Sequence, residues 1–124
     1  MKCFRINIPG NTLYTYPDFS IICGKAEITD IDNVTNPSVI IEILSKSTKD
    51  YDRGTKFNLY RNISTLKEYI LIDSTSVTVE IYSRQDNNTW ILKEYKQLSD
   101  RFTISTISLI LSLKDVYDDV NFDE

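Results

Sequence analysis

The sequence predicts an α/β fold, and three features carry that prediction. Val39-Ile40-Ile41-Glu42-Ile43-Leu44 is an apolar run of strand length. Ser45-Lys46-Ser47-Thr48 breaks it and offers helix caps, and a helix is expected from about Asp50 to Asn62. Tyr69 to Ile72 is a second apolar run. Strands that are apolar on both faces belong to sheets covered on both sides, the arrangement that a strand, crossover helix and strand produce.

The remaining elements follow in chain order. Cys3 to Ile8 alternates and reads as a strand, and Pro9-Gly10-Asn11 as a turn. Phe19 to Cys23 is expected to be a short buried strand, entered just after Pro17, where a proline costs no ladder bond. Gly24 to Pro37 is polar and reads as a loop, and Ser38 to Leu44 as the central strand. In the helix, Asp52, Lys56 and Tyr60 recur at i, i+4 and i+8 and share a face. Gly54 costs that helix about 1 kcal/mol relative to alanine; it either permits a close backbone approach or is incidental. Val77 to Tyr82 alternates, Gln85 to Thr89 makes a hairpin loop, and Trp90 to Tyr95 returns; the two strands are expected as an antiparallel edge pair with one wet face. Phe102 to Leu113 adds apolar contacts, and a short helix is expected near Lys114 to Tyr117. No repeat or linker divides residues 1–124, so a single domain is expected.

Composition narrows the chemistry. The chain of 124 residues contains no histidine, which excludes a Ser-His-Asp triad, a Cys-His dyad and a histidine-type nuclease site within it. Catalysis would have to use carboxylates, lysine, hydroxyls or a metal on oxygen ligands, and oxygen ligands favour Mg, Mn or Ca over zinc. Cys3 and Cys23 have no zinc-site spacing and read as small buried or half-buried hydrophobes. No apolar stretch is long enough to span a bilayer and the N-terminus has no signal-peptide core, so a cytoplasmic protein without membrane attachment is expected. The net charge is −4, but Lys46, Lys49, Arg53, Lys56, Arg61 and Lys67 face only Asp50 and Asp52 in their stretch. Such a patch suits a phosphate backbone. It equally suits a solvated helix face, the commoner role of basic runs.

Glu42 is the most informative residue. An unpaired carboxylate in a buried strand costs several kcal/mol, so a metal ion, a lysine or a shared proton must compensate it. Asp18, at the head of the preceding apolar run, and Lys56, in the following helix, are the nearby candidates. Two acids and a lysine from consecutive elements point to a metal-dependent phosphodiesterase site. Each has a plainer reading: Asp18 a strand-entry residue, Lys56 with Asp52 a surface ion pair, Tyr60 core packing, Ser45 and Ser47 helix caps.

Four blocks of the chain resemble a known family. Tyr16-Pro17-Asp18-Phe19-Ser20-Ile21-Ile22-Cys23-Gly24 resembles its "YPDVxVxCG". Asn36-Pro37-Ser38-Val39-Ile40-Ile41-Glu42-Ile43-Leu44-Ser45-Lys46-Ser47-Thr48 resembles "NPxLIVEVLSPST". Tyr51-Asp52-Arg53-Gly54-Thr55-Lys56-Phe57-Asn58-Leu59-Tyr60-Arg61 resembles "YDRGEKFxxYR", and Glu68-Tyr69-Ile70-Leu71-Ile72-Asp73 resembles "EYxLVD". The family is the Uma-two type of endonuclease-like domain, common in cyanobacteria, within the PD-(D/E)xK superfamily.

The resemblance implies a restriction-endonuclease-like fold, a mixed sheet flanked by helices, with Mg²⁺ or Mn²⁺ at a DNA-cleaving site. Asp18 matches the superfamily's first aspartate and Glu42 its second acid. The lysine expected two residues later is replaced by Leu44, and Lys56 takes its place from the helix. The implied metal ligands are Asp18, Glu42 and the Ile43 carbonyl, with Asp52 and Tyr60 in support and Ser45 and Ser47 as donors to phosphate. Lys46, Lys49, Arg53 and Arg61 are the expected DNA contacts, and a homodimer is expected because cutting a duplex uses two sites. Family members carry a helix and strands ahead of the Pro17-Asp18 block, so this chain resembles an N-terminally truncated member lacking the family's N-terminal helix. The alternative is an inactive relative serving as a DNA-binding or protein-interaction module.

Overall fold

The computed structural model describes residues 5–7, 14–15, 17–23, 28–30, 33–34 and 36–122. Short strands β1 (Arg5–Asn7), β2 (Tyr14–Thr15), β4 (Ile28–Asp30) and β5 (Asn33–Val34) form a four-stranded sheet in the order β2-β1-β5-β4. The stretch expected as a loop between Gly24 and Pro37 thus supplies two strands. Its Asp and Asn residues masked them, because ladder pairing uses backbone groups that every residue carries. The turn expected at Pro9-Gly10-Asn11 lies outside the described residues.

The main sheet joins β3 (Phe19–Ile21), β6 (Val39–Leu44), β7 (Glu68–Asp73), β8 (Val79–Arg84) and β9 (Trp90–Tyr95) in the order β3-β6-β7-β8-β9. Only β6 and β7 run parallel, Val39 opposite Glu68 and Leu44 opposite Asp73; the other pairs are antiparallel. Parallel neighbours need a crossover, and the helix over residues 49–60 provides it. That helix is α-helical over Lys49–Tyr51 and Phe57–Tyr60 and π-helical over Asp52–Lys56. A π segment inside an α-helix is uncommon and occurs often at functional sites.

Alternation along the strands sorts the core into two layers. Ile40, Leu44 and Leu71 face the helix and pack with Phe57, Tyr60, Ile63, Leu66 and Tyr69. Val39, Ile70, Val79 and Ile81 face the other way, under Phe102, Ile104, Leu113 and Tyr117. Each such side chain contributes about 1.5–3 kcal/mol on burial. The second layer comes from the hairpin β10 (Arg101–Ile104) and β11 (Leu109–Ser112) with the short helix Leu113–Val116. Two latches fix it. The buried Glu68 carboxylate accepts the Ser105 and Thr106 backbone N–H groups at 3.1 and 2.8 Å, and Tyr117 Oη donates to the Asp73 carbonyl at 2.7 Å.

Burial departs from expectation at the sheet's edges. β3 is an edge strand, so Phe19 is 41 % exposed and Cys23 is an exposed free thiol rather than a buried hydrophobe. β6 lies next to that edge rather than at the centre, and Ile43 is 39 % exposed. The expected wet edge pair is half right: β9 is the exposed edge, whereas Val79, Glu80 and Ile81 of β8 are all buried. A Cβ added at Gly54 would meet no atom within 4 Å, so that glycine serves no close approach.

Candidate active site

Antiparallel pairing of β3 with β6 sets Phe19 opposite Ile41 and Ser20 opposite Ile40. One further step in that register brings Asp18 opposite Glu42. Directly opposed residues of neighbouring strands share a sheet face with Cβ atoms about 5 Å apart. Glu42 shares its face with Ile40 and Leu44, the face under the helix. It is only 2 % exposed.

The helix supplies what compensates it. Lys56 Nζ donates to Glu42 Oε1 at 3.3 Å, and Tyr60 Oη donates to the same oxygen at 3.2 Å. Lys56 Nζ also pairs with Asp52 Oδ1 at 3.3 Å, one turn back. Tyr69 Oη fixes that turn by donating to the Asp52 carbonyl at 2.8 Å. Of the three compensations open to Glu42, the lysine is therefore present. Among the described residues, Glu42 Oε2 accepts no hydrogen bond.

Asp18 is exposed, and its Oδ2 accepts the Ile43 backbone N–H at 2.7 Å. That bond ties the strand-entry residue to the backbone next to Glu42. Its Oδ1 accepts no hydrogen bond among the described residues. The two acids, Ile43, Ser45, Thr48, Tyr51, Asp52 and Lys56 line one open cavity of about 300 Å³.

The electrostatics follow from burial and crowding. Burial pushes the Glu42 carboxyl from 4.5 up to about 7; Asp52 and Asp18 add to the rise, and Lys56 opposes it. Burial alone would lower Lys56, but Glu42 and Asp52 outweigh it and hold the ammonium above its ordinary range. Lys56 is therefore a charged donor at neutral pH. Burial likewise pushes the Tyr69 phenol upward, so its hydroxyl stays a donor to Asp52.

The other expected residues divide. Ser45 lines the cavity, but its Oγ sits 2.8 Å from Thr48 Oγ1 and 3.1 Å from Ser47 Oγ, so these hydroxyls form a capping turn among themselves. Lys46 is exposed on that turn, and Lys49, half-buried at the helix start, acts electrostatically on Asp73. Arg53 is committed elsewhere: Nε and Nη2 bind the two Glu80 carboxylate oxygens at 3.0 and 2.9 Å, and Nη2 lies 3.8 Å from Asp73 Oδ2. Arg61 is exposed, with its guanidinium 5.8 Å from the centre of the Phe57 ring. Sequence reading missed Thr48, Tyr51 and the Arg53–Glu80 pair. The pair had a signal: Glu80 sits in a clean alternation, on the same face as Leu71 opposite it.

The donor set can be tested against a divalent ion. Among the described residues, no three Asp, Glu, Cys or His side chains converge as a ready cage. Three carboxylates line the open cavity, and of these Asp18 and Glu42 each keep an oxygen that accepts no hydrogen bond among the described residues, with Asp52 held by Lys56 beside them. That suits Mg²⁺ or Mn²⁺, since Mg²⁺ retains several waters and uses one or two carboxylates together with substrate phosphates. The absence of histidine and the exposure of the only described cysteine disfavour zinc.

The mixed five-stranded sheet with a helix over the strand that carries the buried acid has a restriction-endonuclease-like fold. The crystal structure of a "putative nuclease belonging to DUF820" from Anabaena variabilis superposes on it with a TM-score of 0.68, covering 92 % of this chain and 64 % of that one, at 20 % identity. The family model for Uma2, "Putative restriction endonuclease", matches residues 3–114, and the chain belongs to that family. Two uncharacterised proteins of Synechocystis sp. (strain ATCC 27184 / PCC 6803 / Kazusa) are similar to it. One is 36 % identical over 113 residues, covering 91 % of this chain and 59 % of the relative. The other is 40 % identical over 92 residues, covering 73 % and 52 %. The chain thus spans somewhat more than half the length of each. No helix among the described residues is long and apolar enough to cross a membrane.

Proposed function

We propose that the chain is a Mg²⁺- or Mn²⁺-dependent endonuclease that hydrolyses DNA phosphodiester bonds, with Asp18, Glu42 and Lys56 at its centre. The observation that carries this reading is Glu42: a buried carboxylate with one oxygen held by Lys56 and Tyr60, on the lining of a cavity it shares with Asp18. Asp18, Glu42 and the Ile43 carbonyl would hold the ion. When bound, a divalent ion supplies Lewis-acid polarisation of a phosphate oxygen and makes water more acidic.

The chain's own groups do the rest. Tyr60 and Lys56 fix Oε1 and so would leave Oε2 for the ion. Lys56 presents a charged donor where negative charge grows on the phosphoryl oxygens. Asp52 holds Lys56 from behind, so the ammonium needs no reorganisation when charge develops. Lys46, Lys49 and Arg61 would contact the DNA backbone, and two copies acting together would cut both strands.

Plasmid nicking tests the proposal. Nicking should require Mg²⁺ or Mn²⁺ and disappear in Glu42→Ala and Lys56→Ala. A second reading has its own observation: Lys56 and Tyr60 already satisfy Glu42 Oε1 without any metal, as an inactive relative would need. DNA binding that is metal-independent and survives Glu42→Ala, with no nicking by the unaltered chain, would select that reading.

A further inference from the structure

The helix ends at a second polar cavity, of about 480 Å³, lined by Arg61, Asn62, Ser64, Arg84, Asn88 and Trp90. Neither arginine pairs with a carboxylate among the described residues, and no acid lines the cavity. Arg84 donates through Nη1 to the Ile63 and Ser64 carbonyls at 3.1 and 2.9 Å and through Nη2 to the Arg61 carbonyl. Its guanidinium lies 4.7 Å from the centre of the Trp90 ring. Its Nε is buried and finds no acceptor among the described residues. Carbonyl dipoles and an aromatic face orient this cation without neutralising it.

A neighbouring cavity of about 470 Å³ shares Arg84 and adds Lys67. The acid there, Glu68, is already committed to Ser105 and Thr106. Arg61 and Arg84 therefore line the polar groove of the first cavity, and Lys67 joins Arg84 in the second, with no available carboxylate in either. An anion with several oxygens suits such a groove, and hydroxyl and amide side chains beside a tryptophan suit one attached to a sugar and a base.

We propose that this groove is a contact for the phosphate backbone of nucleic acid, separate from the Glu42 cavity, with Arg61 and Arg84 as its cationic anchors. It rests on the nuclease reading for the choice of a polymer over a free anion. Arg61 is the accessible contact. Arg84 holds the helix end and lends its charge to the groove.

Trp90 is the only tryptophan in the chain, so intrinsic fluorescence reports on this cavity directly. The intact chain would be titrated in EDTA with a 20-base-pair duplex, following its fluorescein anisotropy and Trp90 emission together. The two signals should saturate at the same DNA concentration. Arg61→Gln should weaken binding several-fold and reduce the slope of log K against log salt by about one, as loss of a single phosphate contact does. Circular dichroism of Arg61→Gln, an exposed position, checks that it is folded. DNA binding without a change in Trp90 emission, an unchanged salt slope in Arg61→Gln, or no DNA binding at all would overturn the proposal. Inorganic phosphate that shifts Trp90 emission at millimolar concentration, where DNA does not, would also overturn it by assigning the groove to a free anion. Trp90 responding to DNA in a chain that never nicks would leave the groove standing while the nuclease reading fell.

Discussion

Replacing Glu42 with glutamine should make the metal-free chain more stable at pH 8 while changing it little at pH 4.5. The sign follows from the direction of the shift. Glu42 titrates near 7 in the folded chain and near 4.5 when unfolded, so the folded state keeps a proton that the unfolded state loses. Stability from this group is fully present below pH 4.5, falls as pH rises, and is lost above pH 7. The gap of about 2.5 pH units, at 1.36 kcal/mol each, makes the loss about 3 kcal/mol. Only 2 % exposure of Glu42 leaves little solvent screening to reduce it. Glutamine keeps the shape and an oxygen for Lys56 and Tyr60 but cannot ionise. Urea unfolding in EDTA at half-unit steps from pH 4.5 to 8 would measure the difference between the two proteins, which cancels the titrating groups that do not interact with Glu42. A difference that stays flat across that range, or a variant less stable than the unaltered chain at pH 8, would refute the argument that burial dominates Lys56 at this carboxylate.

Three further outcomes are expected. Arg53→Ala strands the buried Glu80, and denaturant melts should show a loss of about 2 kcal/mol. That is below the 3–5 kcal/mol of a fully buried pair, because the Arg53 side chain is 32 % exposed. Asp73 sits below its ordinary range: burial would raise it, but the Thr75 hydroxyl and backbone N–H bind its Oδ1 and outweigh that, helped by Lys49 and Arg53. Its contribution is present above the unfolded carboxylate pKa and disappears as pH falls through the folded one, so Asp73→Asn should flatten the acid limb of the stability profile. Ser112→Ala removes the side-chain cap on the Asp115 N–H and should cost about 1 kcal/mol, read from the shift in denaturation midpoint.

The strand, crossover helix and strand were legible because each obeys one clear period. The convergence of Glu42, Asp52, Lys56 and Tyr60 was legible for the same reason: i, i+4 and i+8 on a helix over an inward-facing strand residue leave few other arrangements. Edge position was not legible. Phe19 and Ile43 look as apolar as Ile40, yet strand order decides which of them solvent reaches, and order arises from long-range pairing. The strands at Ile28–Asp30 and Asn33–Val34 were hidden because their pairing is a backbone matter on polar residues. The π segment had no sequence signal beyond Gly54, which turned out to face open space. The Arg53–Glu80 pair shows the limit of reading charge runs as surface: a basic residue in a DNA-suited patch is bound by an acid 27 positions away.

Glu42 and the three side chains gathered around it, Asp52, Lys56 and Tyr60, lie on one uninterrupted stretch from β6 to the end of its crossover helix. Asp18 alone arrives from elsewhere in the chain. The polar quartet is therefore a single local cassette, whose internal geometry a rearrangement of the outer strands would leave intact. Asp18 is the detachable piece: whatever reshapes the sheet's edge moves its carboxylate away from the cavity before it disturbs the lysine's grip on Glu42.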